Sequence, residues 1–385
     1  MEIVSRMKKS VGAKPKVEAR QKLGFYLASQ IFTQLISFQQ LIRSIGAFIG
    51  TGQMFRSDIL LNTVGMALES MIQSLMYDRY DFESQRTRIQ DELESLNIVT
   101  QEIKIKSLYP RTIKLDLVIN SPPRDLTILS LEALLESILN EPLRVVVENK
   151  KGRQTKIKVF SSNLFKLNHS VSYVGKDGSK VSGDSYLCEN FTNGTTLLAI
   201  SDGMGNGELA RHESSEALKI IKCLLSFNLS PKKAIEALQH LKEHSNTDER
   251  FFTLDLCVID RERSRATFYK RGAAPTFLVR NHEIEIINLS QLPVGVSGNQ
   301  PIDHFNISLE EGDQIIMCSD GIFEQYPEIS DLERVILEHS GQTPKLITKN
   351  ILQATVNKHR GKIKDDMLIL AVEYKRIEAM QTKTA

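Results

Sequence analysis

The stretch Ser201-Asp202-Gly203-Met204-Gly205-Asn206-Gly207 decides how this chain is read. It follows a strand-like apolar run, Thr195–Ile200, and precedes Glu208–Phe227, which has helical periodicity. An acidic side chain therefore stands where a strand stops, and the glycines after it let the backbone come close to a bound group. A second Ser-Asp-Gly, Ser319–Gly321, follows the apolar run Gln314–Cys318. Asp365-Asp366 precedes a third run, Met367–Val372, and Gly183-Asp184 precedes Tyr186-Leu187-Cys188. Taken singly, such dipeptides are turn signals, and Gly312-Asp313 is read as a turn. As a set they differ, because each abuts an apolar strand and would be held on a rigid element.

The set contains no histidine or cysteine partner. Carboxylates gathered without a cation repel and raise one another's pKa. A hard, oxygen-preferring ion removes that cost. Two Mg²⁺ or Mn²⁺ ions about 4 Å apart polarise a phosphoryl group and lower the pKa of a bridging water. The expected chemistry is hydrolysis of a phosphate ester by metal-bound water, with no covalent enzyme intermediate. No serine or cysteine nucleophile with a matching histidine and acid stands out, which argues against triad hydrolases. His212, near the stretch in sequence, is read as an exposed helix histidine.

Composition sets the outer bounds. The 385 residues suffice for two domains, and 41% apolar and 25% charged residues are ordinary for a soluble protein. A net charge of +2 gives no sign of a nucleic-acid partner. Cys188, Cys223, Cys257 and Cys318 lack CxxC spacing and read as small core residues in a reducing, cytoplasmic compartment. No signal peptide is apparent, and Phe25–Ile49, the most apolar helical stretch, is interrupted by Gln30, Gln34, Gln39, Gln40 and Arg43. The basic start (Arg6, Lys8, Lys9, Lys14, Lys16) reads as a solvated tail, with contact to anionic lipid as the minority reading.

Along the chain, Gln21 to about Gly50 has helical spacing. In Ser57 to about Leu96, the residues Leu61, Leu68, Leu75, Phe82, Ile89 and Leu96 fall seven apart. Two readings are open: a helical hairpin or coiled coil pairing two chains, or a helix packed on its own chain. Residues 98–163 predict a small α+β unit, with strands near Lys104-Ile105, Ile113–Ile119, Leu143–Val147 and Thr155–Phe160 and a helix over Leu126–Leu139. From Phe165 onward ten short strands alternate with turn signals. Helices are expected at Glu208–Phe227, Pro231–His244 and about Thr343–His359. This predicts an α+β fold of two packed antiparallel sheets flanked by helices.

Gly183-Asp184-Ser185, the Ser201–Gly207 stretch, Thr253-Leu254-Asp255, Leu292-Pro293-Val294-Gly295, Ser319-Asp320-Gly321-Ile322-Phe323-Glu324 and Asp365-Asp366-Met367 occur in a recognisable order. The region from about Phe165 to Tyr374 resembles metal-dependent serine/threonine phosphatases of the PPM (type 2C) superfamily, in the bacterial branch typified by stage II sporulation protein E. The resemblance implies a four-layer sandwich over 164–376; ahead of it the residues themselves suggest a helical region over 1–97, a candidate for dimerisation, and a small α+β regulatory unit over 98–163, with a tail over 377–385 after it. It implies two Mn²⁺ or Mg²⁺ ions, with Asp202 bridging them and the Gly203 carbonyl contacting one. Asp320 and Asp365 would hold the other, and Asp184 would orient water or complete the shell. Asp366 stands where relatives have asparagine, so Asp365 and Asp366 both stay open as the ligand. The helices over Glu208–His244 would act as a switch. The implied substrate is a phosphorylated anti-sigma-factor antagonist; the expectation of a homodimer through the N-terminal helices comes from the sevenfold spacing instead. Two features depart from the family: Lys176 and Lys180 match no phosphate-gripping motif, and no run of membrane spans is present. A catalytically silent module on the same fold is the alternative.

Overall fold

The computed structural model describes residues 36–47, 57–108, 113–120, 127–161, 165–179, 181–191, 194–205, 207–243, 251–261, 263–289, 291–296, 301–358 and 361–376. The basic N-terminal stretch, the Ser121–Pro123 break, Lys180, Asn206 and the tail over 377–385 lie outside them.

Helix α1 spans 36–47, within the helix expected from Gln21. Helix α2 (Ser57–Ser95) leads into β1 (Val99–Ser107), β2 (Lys114–Asn120), α3 (Ile128–Leu139), β3 (Leu143–Lys151) and β4 (Gln154–Ser161). These strands form an antiparallel sheet in the order β1-β2-β4-β3. Its alternating Leu115, Leu117, Ile119, Ile157 and Val159 pack against Leu131 and Leu135 of α3 and against Ile89 and Leu93 of α2. Further back along α2, Ala67 joins Leu41 and Ile45 of α1 in a separate core with Phe227. Of the seven-residue series, Ile89 is buried, whereas Leu68 and Leu96 are exposed. The side chains of Leu61, Leu75 and Phe82 lie outside the described residues.

Two five-stranded antiparallel sheets follow. The first joins β6 (Asp184–Asn190), β7 (Thr195–Asp202), β8 (Leu254–Asp260), β9 (Arg265–Arg271) and β12 (Phe305–Ser308), in the order β12-β9-β8-β7-β6. The second joins β5 (Phe165–Val174), β10 (Thr276–Arg280), β11 (Glu283–Ile287), β13 (Gln314–Cys318) and β14 (Met367–Arg376), in the order β11-β10-β13-β14-β5. Leu198, Ile200 and Phe268 meet Leu278, Met317 and Leu370 between the sheets. Leu197, Ala199 and Leu256 face outward beneath α4 (Gly207–Ser226) and α5 (Pro231–Glu243). Ile316, Ile369 and Ala371 face outward beneath α7 (Ile329–Glu338) and α8 (Pro344–Lys358). Short α6 (Asp320–Phe323) caps β13. Strands β7 and β13 thus read as unbroken apolar runs because both of their faces are covered. The α+β sandwich of two sheets flanked by helices is the fold observed, with α7 an element that the sequence reading lacked.

One ion pair is sealed inside. Lys270 is fully buried and donates to Asp255 Oδ2 (2.6 Å), the Ala274 carbonyl (2.6 Å) and Thr276 Oγ1 (2.8 Å). The Thr276 hydroxyl in turn donates to Asp255 Oδ2 at 2.9 Å. All three ammonium protons are therefore placed. Lys270→Met, which strands the Asp255 charge, should cost about 3–5 kcal/mol in urea unfolding. Lys270→Met with Asp255→Leu should recover most of it; an equal loss in both proteins would show that the pair itself stabilises the fold.

Candidate active site

The sandwich brings the acidic strand ends to one end of the molecule. In the β6–β7 ladder Asp184 lies directly opposite Asp202. Chain beyond β7 is clamped: Gly203 bridges to Phe252, and the Thr253 amide donates to the Asp202 carbonyl at 2.9 Å. Thr253 Oγ1 accepts the Asp202 amide at 3.0 Å, and Ser201 Oγ donates to the Thr253 carbonyl at 2.8 Å. In the other sheet, the Ser319 amide donates to the Leu368 carbonyl (3.0 Å) and Ser319 Oγ accepts the Leu368 amide (2.9 Å). This ties Asp320, at the start of α6, to the strand that opens just after Asp365-Asp366. Thr253 and Ser319 lie within quoted motifs, but the sequence alone gave them no role.

The two neighbouring acids at 365–366 are in different surroundings. Asp366 is buried; its Oδ1 accepts the Lys176 amide (2.8 Å) and its Oδ2 accepts the Gly183 amide (2.7 Å). Both oxygens are thus used in holding the β5–β6 connection. Asp365 is half-buried, and its Oδ1 accepts only the adjacent Asp366 amide at 2.9 Å. Its charge acts on both Asp202 and Asp320.

Close packing holds these groups. A Cβ on Gly203 would lie 2.2 Å from the Ala210 carbonyl oxygen, and one on Gly183 would lie 2.9 Å from the Ala210 Cβ. One residue in the first turn of α4 therefore rests on the backbone beside both Asp184 and Asp202. A Cβ on Gly321 would lie 1.9 Å from the Asp366 carbonyl oxygen, so α6 and the 365–366 turn touch backbone to backbone. Ser214 Oγ reinforces the α4 contact, donating to the Gly183 carbonyl at 2.7 Å and lying 2.8 Å from Ser185 Oγ.

The crowding shifts the acids strongly. Burial pushes Asp184 up to about 7, with the Ser319 hydroxyl opposing and the charges of Asp320 and Asp366 adding. Asp202 is pushed up to about 10, first by burial and then by the charges of Asp184 and Asp320. Burial and the Asp365 charge also raise Asp320. Neither buried oxygen of Asp184 makes a well-formed hydrogen bond. An all-oxygen, anionic set with an orphaned buried carboxylate fits a hard divalent cation. Among the described residues, no three His, Cys, Asp or Glu side chains are already drawn together in a group that could hold an ion.

A pH dependence follows. Asp184 has a raised pKa in the folded state, so its contribution to metal-free stability is full below 3.8 and is lost as pH rises through about 7. Asp202 extends the loss toward about 10. In chelator, the carboxylate cluster should therefore lower the melting temperature more at pH 8 than at pH 5.5, by comparison with Asp202→Ala. Mn²⁺ should raise it more at pH 8. An Mn²⁺ effect equal at both values would contradict the reading.

Residues 192–375 match the family model described as Stage II sporulation protein E (SpoIIE). This part of the chain is similar to that family. Stage II sporulation protein E of Priestia megaterium is 29% identical over 323 residues, covering 81% of this chain and 55% of the relative. The Bacillus subtilis protein of that name is 29% identical over 295 residues, covering 75% and 36%. The chain thus spans about half or less of these two SpoIIE proteins. Phosphoserine phosphatase RsbU of Bacillus subtilis is 22% identical over 212 residues, covering 53% of this chain and 63% of RsbU. The solved PP2C phosphatase domain of SpoIIE from Bacillus subtilis, with a fragment of its regulatory domain, superposes with a TM-score of 0.72 at 26% identity. That match covers 84% of this chain and 95% of the solved one. Like the matches to the two SpoIIE proteins, it extends beyond residues 192–375 into the N-terminal elements.

Proposed function

We propose that the chain is a metal-dependent protein phosphatase that hydrolyses phosphoserine or phosphothreonine. The observation that carries the reading is the convergence of Asp184, Asp202, Asp320 and Asp365 at one end of two sheets, with Asp184 buried beside the others. Asp202, flanked by Asp184 on its sheet and by Asp320 and Asp365 on the other, is the natural bridge between two cations. The Gly203 carbonyl would be a neutral ligand beside it. Asp320 and Asp365 would hold the second ion. Asp365 is preferred to Asp366 because both Asp366 oxygens already accept backbone amides. Mg²⁺ or Mn²⁺ bound there would polarise the phosphoryl group and activate water. Asp184, facing Asp202 across the ladder, would orient water at the centre or complete the shell.

Kinship with SpoIIE and with a phosphoserine phosphatase supports a phosphorylated anti-sigma-factor antagonist as substrate. Sporulation and sigma-factor control would then be the process served. A cytoplasmic location is part of the same proposal. Among the described residues no helix is long and apolar enough to cross a membrane. Mn²⁺-dependent release of phosphate from such a phosphoprotein, abolished by chelator, is the direct test. The second reading, a catalytically silent interaction module, draws on the lack of a ready-made group of metal ligands among the described residues. Calorimetry showing no Mn²⁺ binding alongside tight partner binding would favour it.

The N-terminal helices would regulate the site. Phe38 of α1 lies against Phe227 just past α4 (ring centroids 6.3 Å), and Ser70 of α2 donates to the Phe227 carbonyl. Helix α4 in turn rests on Gly203. Pairing of two chains through α2 is proposed from the heptad spacing, with exposed Leu68 as a surface position a partner would cover. Light scattering should give a dimer for the full chain and a monomer after deletion of 1–97; a monomeric full chain would refute the pairing.

A further inference from the structure

Strands β5 and β6 are edges of different sheets, and α4 packs against β6. Between them lies a cavity of about 280 Å³ lined by Tyr173, Asp184, Tyr186, Arg211, Leu218 and Lys219, among others. It begins at Asp184, the first residue of β6, and continues along that strand away from the acidic centre. Arg211 and Lys219 lie eight residues apart on α4, roughly 12 Å along the helix axis. Lys219 is already paired with Glu216 at 2.6 Å. The Arg211 guanidinium makes no ion pair or hydrogen bond among the described residues. Tyr173 and Tyr186 are half-exposed (49% and 47%), so aromatic faces with no covering side chain line the same cavity. The volume sits at the small end for ligand pockets and suits one or two side chains rather than a whole cofactor.

We propose that this cavity is a specificity subsite that receives an acidic side chain of the protein substrate flanking the phosphorylated residue, with Arg211 as its charge partner and the tyrosines packing on the adjoining chain. The inference rests on the phosphatase reading. The phosphate belongs with the cations at the carboxylates, which leaves Arg211 an unmatched positive charge beside the path of the same polypeptide. A guanidinium pairs with a carboxylate through two parallel N–H donors, which fixes geometry as well as charge.

The test uses the full chain with Mn²⁺. A phosphoserine peptide of neutral background is varied one flanking position at a time among Glu, Gln and Lys. At one or more positions, Glu should raise kcat/KM over Gln by about tenfold. Arg211→Glu should reverse the order so that Lys is preferred, a swap that general damage to the fold does not produce. Equal kcat/KM across the series in the wild type, or an unchanged order in Arg211→Glu, would overturn the subsite. If no peptide is hydrolysed, the phosphatase reading fails instead. Fluorescence anisotropy with the same peptides then still decides the subsite: a Glu preference that reverses in Arg211→Glu supports it, and equal affinities overturn it. An effect of inorganic phosphate alone, with no dependence on the flanking residue, would also overturn it by marking Arg211 as a contact for the free anion.

Discussion

Asp202→Ala should lower Mn²⁺-dependent phosphate release by about a thousandfold or more, and Asp320→Ala should do nearly the same. The same substitutions should leave the metal-free fold intact and, above neutral pH, more stable. Asp202 faces Asp184 across the ladder and is the most strongly displaced acid of the group. Removing it takes away a charge that burial and its neighbours both oppose. Its backbone contacts survive, because they run through its amide and carbonyl to Thr253. Opposite movements of activity and stability are the signature of a functional site rather than a structural one. Activity retained within tenfold in both variants would sink the phosphatase assignment. A loss of activity with a matching loss of metal-free stability would relegate these acids to the scaffold.

Gly203→Ala should be nearly as damaging by a different route. Its added methyl would sit 2.2 Å from the Ala210 carbonyl oxygen, and a backbone atom cannot step aside without the helix. Helix α4 must lift, and the chain next to Asp202 must move with it. Misplacement by about an ångström at a reacting centre costs on the order of a hundredfold. The comparison with Gly183→Ala makes the prediction sharp. There the obstruction is the Ala210 side chain at 2.9 Å, together with Asp366 Oδ2 at 3.0 Å. Ala210→Gly should therefore restore part of the activity of Gly183→Ala and none of that of Gly203→Ala. Rescue of both, or full activity in Gly203→Ala, would mean that α4 is free to shift without consequence. Phosphate release and metal affinity, measured on all four proteins, check this.

What the sequence made legible, and what it hid, has a physical pattern. Strands β7, β13 and β14 stood out because covering both faces demands unbroken apolar runs, and the acids at their ends were visible against those runs. The choice between Asp365 and Asp366 was not visible, since two identical side chains differ here only in which backbone amides reach them. Helix α7 was missed although it is strongly amphipathic, with Leu332 and Ile336 buried one turn apart; at ten residues it is short enough to be taken for connecting chain. Helix α2 was read through its sevenfold spacing, yet its buried residues include Ala67, Ile89 and Leu93. A straight helix drifts about 20° per heptad against a sevenfold repeat. Over 39 residues one stripe keeps facing the same neighbour only if the helix supercoils around it. The helix instead meets a helical core with one part and the four-stranded sheet with another. Arg211 was passed over because an arginine on a helix surface is ordinary until the cavity beside it is seen.

Ala210 touches the glycines next to two different acids, and this bears on how the centre would fill. Asp184 and Asp202 stand on adjacent strands, but the same turn of helix abuts the backbone of both. They cannot be brought into register independently. When α4 is seated the pair is set together, and when it is displaced the pair is lost together. Loading should accordingly be all-or-none, with half-assembled centres scarce. A titration of metal against the intact chain would then show one steep transition where two separate affinities might have been expected from two ions.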